Sequence, residues 1–239
     1  MSTLNLLYRR EYAINDKIKI TIPTVGEILD FGEDTYYGMV SILTAMPIDL
    51  MVQLDDAGYD FTKISEYELF LMMFGGLRGQ DAHLIFGDLD LGKFKLAAND
   101  RTKEIVLVDN ENDIIIDRAI QGNIASVLRK IHHLEKNRRK PGNDDAKAFM
   151  LKRAREKLKR RKNRQTESQL ESLIIAMVNT EQFKYGYEGT RELSIYQFNE
   201  SVRQIIKKVE YDNRMHGVYA GTVNVKDLSQ DDLNWLIHK

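Results

Sequence analysis

The chain has no cysteine, which removes disulfides, thiol nucleophiles and thiolate metal sites at once. Proline occurs only at Pro23, Pro47 and Pro141, so little in the sequence interrupts helices. No apolar run approaches the ~18 residues needed to span a bilayer. Met1 to Arg10 carries its apolar residues ahead of Arg9 and Arg10, not after a basic flank, so it does not read as a secretion signal. These absences lead to the expectation of a cytosolic protein with no membrane partner.

What is present is charge, and it is segregated. The 239 residues hold 35 Lys and Arg against 36 Asp and Glu, a near balance. Between Arg129 and Arg164, however, 16 basic residues face four acids, Glu135, Asp144, Asp145 and Glu156, and the remainder of the chain is correspondingly acidic. With 43% hydrophobic and 30% charged residues the chain can bury a real core and is expected to be rich in helix.

Local patterns fill in the elements. Ile18, Ile20 and Ile22 alternate with Lys17, Lys19 and Thr21, the period of a half-buried strand, which with the turn at Asn15-Asp16 makes an N-terminal β hairpin ended by Pro23. Thr24 with Glu27, and Ser65 with Glu68, have capping-box spacing; the second pair precedes a run from Leu69 to Phe74 that is apolar on nearly every side. Helices are also expected over Asp34 to Ala45 and Pro47 to Asp56. Strands at Phe94 to Ala97, Glu104 to Val108 and Asp113 to Ile116, separated by turn residues, read as an antiparallel meander.

Ile120, Ile124, Val127, Leu128 and Ile131 recur at helical spacing, Lys140 to Asn143 breaks that helix, and Asp144 is positioned to cap a second one from Ala146 to about Lys162. Further helices are expected over Gln165 to Val178, from Ser194 to about Arg214 with Gly217 as its stop, and from Ser229 to the C-terminus, where Leu233, Trp235, Leu236 and Ile237 dock. The fold class is mainly α: a helical body with a small antiparallel β meander insertion and an N-terminal β hairpin. The regions are 1–91 (hairpin and helices), 92–118 (meander), 119–164 (basic helical arm) and 165–239 (C-terminal helices), read together as one elongated domain.

Candidate chemistry is sparse. Gly75, Gly76 and Gly79 lack the lysine and hydroxyl residue of a phosphate loop and read as a helix end. Asp109 to Asp113 alternates acids as a calcium loop does, but without the sixth-position glycine and distal glutamate, so a hairpin turn is expected. His132 and His133 sit about 100° apart on a helix and read as a surface imidazole pair, not two ligands of one metal. His83, His216 and His238 form no recognisable triad, and Asp88 and Asp90 carry the enzyme alternative. No catalytic residue, metal or cofactor is expected, and the protein reads as a non-enzyme.

Several stretches carry a family likeness. They are Ile22-Pro23-Thr24-Val25-Gly26-Glu27-Ile28, Ser41-Ile42-Leu43-Thr44-Ala45-Met46-Pro47, Tyr67-Glu68-Leu69-Phe70, Met177-Val178-Asn179-Thr180-Glu181, and Tyr211-Asp212-Asn213 through Tyr219-Ala220-Gly221. Together they resemble phage and prophage tail-morphogenesis proteins of Gram-positive hosts, which are tail assembly chaperones or minor tail components. The resemblance implies a role in the host cytoplasm during assembly, or in the virion. It also implies other tail proteins as partners, the tape-measure protein among them; the charge segregation itself adds self-association, the arm meeting an acidic surface of another copy.

The residues expected to meet a partner are Lys152, Arg153, Arg155, Lys157, Lys159, Arg160, Arg161, Lys162 and Arg164 on the basic arm, with Phe70, Met73 and Phe74 in an apolar groove over Glu66 to Phe74. A second candidate groove covers Leu170 to Met177. The alternative reading is a nucleic-acid-binding accessory protein that uses the basic helices of 129–164 on phosphate.

Overall fold

The computed structural model describes residues 6–99, 103–162 and 168–236, and within 161–162 only the backbone. Helices dominate, in order α1 (Val25–Phe31), α2 (Glu33–Thr44), α3 (Met51–Asp56), α4 (Glu66–Arg78), α5 (His83–Phe86), α6 (Arg118–Ile131), α7 (Asp144–Lys162), α8 (Gln169–Val178), α9 (Tyr187–Glu192) and α10 (Ile195–Tyr219). Strands β1 (Glu11–Ala13) and β2 (Lys19–Thr21) form the N-terminal antiparallel hairpin. Strands β3 (Lys95–Ala98), β4 (Ile105–Asp109) and β5 (Ile114–Ile116) form the three-stranded antiparallel meander. The fold class is thus mainly α with both β elements where the alternation of residue types places them. No helix of the described residues is long and apolar enough to cross a membrane.

The chain folds as two compact units. The first takes the residues up to Pro23 and Glu27–Ser168; the second takes Thr24–Gly26 and Gln169 onward.

In the first unit, α4 starts at a capping box: Ser65 Oγ accepts from the Glu68 amide and the Glu68 carboxylate accepts from the Ser65 amide. Its Tyr67 hydroxyl lies 3.0 Å from the carbonyls of both Ile105 and Ile116, tying the helix to the meander. A cluster of Ile48, Leu54, Phe61, Leu69 and Leu151 joins the segment before α3, α3, the segment after it, α4 and α7 in one piece of core. Gly75 and Gly76 lie inside α4, and Gly79 alone caps it, so only the last of the three glycines ends the helix.

The break after α6 also differs from expectation. The helix stops at Ile131, well before Pro141. His133 takes φ +53°, the Leu134 amide donates to the Arg129 carbonyl at 2.8 Å, and the His133 amide to that of Lys130. This is a Schellman termination, with histidine in the left-handed position that glycine usually fills. α7 then begins at Asp144, but its cap is Asn143, whose side chain accepts from the Ala146 amide at 2.8 Å.

In the second unit, Val25 donates to the Leu193 carbonyl at 2.9 Å and Thr24 bridges to Ser194, which is why Thr24–Gly26 belong here. Ser194 and Gln197 form a capping box at the start of α10. That helix runs through Gly217 and ends in a second Schellman turn, with Gly221 at φ +73° and the Thr222 amide on the Gly217 carbonyl at 2.9 Å. Gly217 serves a different need, because a Cβ there would stand 2.7 Å from Val223 Cγ2 as the chain folds back. The Ser229–Asp232 hydrogen bonds do form, but they close a turn and not a helix. The tail lies along α10, with Gln204 Nε2 on the Trp235 carbonyl and Arg214 on Asp232. Ile237 lies outside the described residues.

Candidate macromolecule-binding face

α7 is organised by a thin seam. Leu151, Ala154 and Leu158 recur at spacings of three and four, so they share one face; Leu151 is buried and the other two are half-buried. Two basic residues flank that seam and are already spoken for. Lys147 meets Asp60 at 2.8 Å and lies over the Phe61 ring, and the Arg155 guanidinium reaches Asp55 at 2.7 Å and Asp56 at 2.6 Å. The hydrogen bond from Lys147 holds the Asp60 carboxyl far below the usual carboxylate range, and the two aspartates raise Arg155.

The rest of the helix turns its cations outward. Lys152, Arg153, Lys157, Lys159 and Arg160 are all exposed. Among the described residues Lys152, Lys157, Lys159 and Arg160 have no carboxylate partner; Arg153 lies 5.6 Å from the centre of the Phe149 ring, itself 59% exposed. A column of unpaired cations around one exposed aromatic ring can neutralise carboxylates or phosphates of a partner and offer it an apolar contact. α7 is therefore not uniformly free: its seam side is neutralised by α3 and the segment after it, and its outer arc is what is available. Arg161 and Lys162 side chains and Arg164 lie outside the described residues.

The expected apolar groove is not open. Phe70 and Phe74 are 3% and 4% exposed and stack edge to face, and Met73 packs against the core cluster. A helix that is apolar on nearly every side is here the centre of the core, which is the other outcome such a pattern allows. In the second unit Leu170, Ile174 and Met177 are likewise buried, leaving Ile175 exposed.

The histidines also depart from the surface pair expected. His132 is 8% exposed; its Nε2 lies 3.0 Å from the Tyr36 hydroxyl, and its ring contacts Tyr36 and Tyr37 edge on. Burial, with a smaller contribution from His133, lowers its pKa to about 3, so the ring is neutral. Burial also raises Tyr36 and Tyr37, which keeps both phenols protonated. The acidic run at 109–113 is a turn: Asp109 is buried and accepts from the amides of Glu111 and Asn112 and from Asn112 Nδ2 at 2.6 Å. Asp90 caps Gly92, and Asp88 lies exposed. Among the described residues no three His, Asp or Glu side chains converge as metal ligands would.

Fold and surface together define a mainly α protein whose first unit carries a meander and a basic helical face. Residues 159–238, about a third of the chain, match the family model described as YomV second domain, a phage-derived family of the Bacillus prophage SPbeta type. The matched span begins shortly before Gln169, where the second unit begins, and is consistent with a prophage protein. No curated protein and no solved structure matches the chain.

Proposed function

We propose that this protein is a non-catalytic phage tail-assembly factor, chaperone-like or a minor tail component, that grips an acidic surface of another tail protein with the outer arc of α7. The observation that carries the proposal is that Lys152, Lys157, Lys159 and Arg160 are exposed and lack carboxylate partners among the described residues, whereas the cations on the inner flank of the same helix are paired. Charge left unpaired on one face of a helix steers and orients a partner of opposite sign. The match to a phage-derived family and the tail-morphogenesis motifs support the phage setting. Expression of the protein with its tail proteins, the tape-measure protein included, tests the reading. Copurification with wild type is expected and should be lost on combined Lys152→Glu, Lys157→Glu and Arg160→Glu; retention by the triple variant overturns it.

The second reading, nucleic acid, is favoured by the same cations. Four phosphate contacts would give a slope of log K against log salt of about −4 on duplex DNA. Filter binding at two salt concentrations separates the readings, since salt-steep retention of DNA belongs to the second alone.

A further inference from the structure

A cleft of about 560 Å³ opens in the first unit between Met46–Ile48, the segment 60–66 and the loop 137–144, with Lys147 at one side. Its floor is apolar: Met46 and Ile64 are half-buried and Ile48 and Phe61 lie in the core behind them. Its rim is basic, with Lys63, Arg138, Arg139 and Lys140 all exposed.

The acids around this cleft are engaged from within. Asp60 is held by Lys147 and by the Thr62 hydroxyl, and Glu66 by Arg129 and Lys136. Asp49, just beside it, accepts from the Met46 amide at 3.0 Å and from Asn137 Nδ2 at 2.9 Å. Of the acids that line the cleft, Asp144 in the first turn of α7 is the one without a cation partner among the described residues, and with Asp49 beside the cleft it faces four rim cations, none of which has an ion-pair partner there. The loop is also open along its backbone: the amides of Lys136, Asn137 and Arg138 donate to no backbone carbonyl among the described residues. Volume, apolar floor and rim fall within the range of sites that take a few side chains and fix them with a small number of polar groups.

We propose that this cleft seats a short acidic segment of a partner protein, in which an apolar side chain rests on Met46 and Ile64 while carboxylates on either side of it meet Arg138, Arg139, Lys140 and Lys63. The apolar floor favours a peptide over a nucleic-acid backbone, which would leave that floor uncovered by anything but phosphate and sugar. The site uses none of the outer-arc cations of α7 and holds or fails separately from the reading above.

The test is fluorescence anisotropy on the full chain with a labelled synthetic peptide in which Glu and Asp flank a Leu-Phe pair. Saturable binding is expected, weakened at least about tenfold by Arg138→Glu with Arg139→Glu, by Lys63→Glu with Lys140→Glu, or by replacing the peptide's acids with Gln and Asn. Weakening by Lys152→Glu with Lys157→Glu as great as that by the rim variants would place the peptide on the outer arc of α7 and overturn the site. Circular dichroism confirms that each variant, altered only at exposed positions, is folded. The proposal is overturned if no saturable binding appears, if the rim variants bind as wild type does, or if a thymidine oligonucleotide of equal charge displaces the peptide, which would make the rim an anion patch without peptide selectivity.

Discussion

The Arg129 guanidinium and the Glu66 carboxylate meet at 2.6 Å with only 10% and 14% of their side chains exposed, fixing the end of α6 to the first turn of α4. Arg129 also donates to the Thr44 carbonyl at the end of α2, so one guanidinium ties three helices, and Lys136 reaches the same carboxylate from the following loop. Removing one partner of such a pair strands the other charge in a poorly solvated place. Glu66→Gln is therefore expected to cost about 3 kcal/mol in urea unfolding, against less than about 1 kcal/mol for Lys136→Ala, whose side chain is 38% exposed. Equal costs would mean that the pair is solvated.

His132 gives stability a pH dependence of known sign. The fold lowers its pKa from 6.5 to about 3, so on acidification the unfolded chain takes up a proton well before the folded one does. Its contribution is complete above pH 6.5 and is lost as pH falls toward 3. Asp60 and Asp109, whose pKa values lie below the ordinary 3.8, begin to lose theirs as pH nears 3.8, so the windows overlap there while the fall at higher pH belongs mainly to His132. Urea midpoints should fall between about pH 7 and about pH 4.5, by up to ~3 kcal/mol, and the slope should flatten in His132→Phe with Tyr36→Phe. The paired change is needed because either single one leaves a buried polar group facing an apolar ring, whereas removing both is close to neutral.

Much of this scaffold is legible in residue types. Alternation at Ile18 to Ile22 and the turn chemistry at 109–113 define β elements, and Ser65 with Glu68 locates the start of α4 to the residue, because each signal acts within a few positions. What escapes is whatever depends on a distant partner. A histidine in a Schellman turn carries no glycine to announce it, and α5 and α9, with four and six residues, are too short for periodicity to show. The seam of α7 is visible in sequence, but that Asp55, Asp56 and Asp60 would neutralise its flank is not, since nothing local places α3 beside it. For the same reason Phe70 and Phe74 look equally suited to a groove and to a core.

Tyr67 links helix to sheet through one hydroxyl shared by two carbonyls, those of Ile105 and Ile116 on neighbouring strands. Tyr67→Phe keeps the ring against Phe70 but leaves these acceptors without it, at a cost of about 1 kcal/mol. Amide exchange should locate the loss, with protection falling in β4 and β5 and staying unchanged in α10.

The division of α7 into a buried seam and a free arc makes stability and binding separable on one helix. Leu151 is 8% exposed and completes the cluster with Ile48, Leu54, Phe61 and Leu69, so Leu151→Ala opens a cavity among residues from four segments and is expected to cost ~2–4 kcal/mol. Lys157 is two turns further along on the exposed arc, touches none of that cluster, and as Lys157→Glu should shift stability by no more than about 0.5 kcal/mol. Arg155→Ala falls between, because its two aspartates, 38% and 63% exposed, leave the pair screened by solvent. If the outer arc exists for a partner, the order for binding reverses: Lys157→Glu weakens association while Leu151→Ala, assayed below its unfolding temperature, leaves it nearly intact. Thermal unfolding and binding measured on the same three variants check both orders together, and a common order would mean that α7 contributes only to the core.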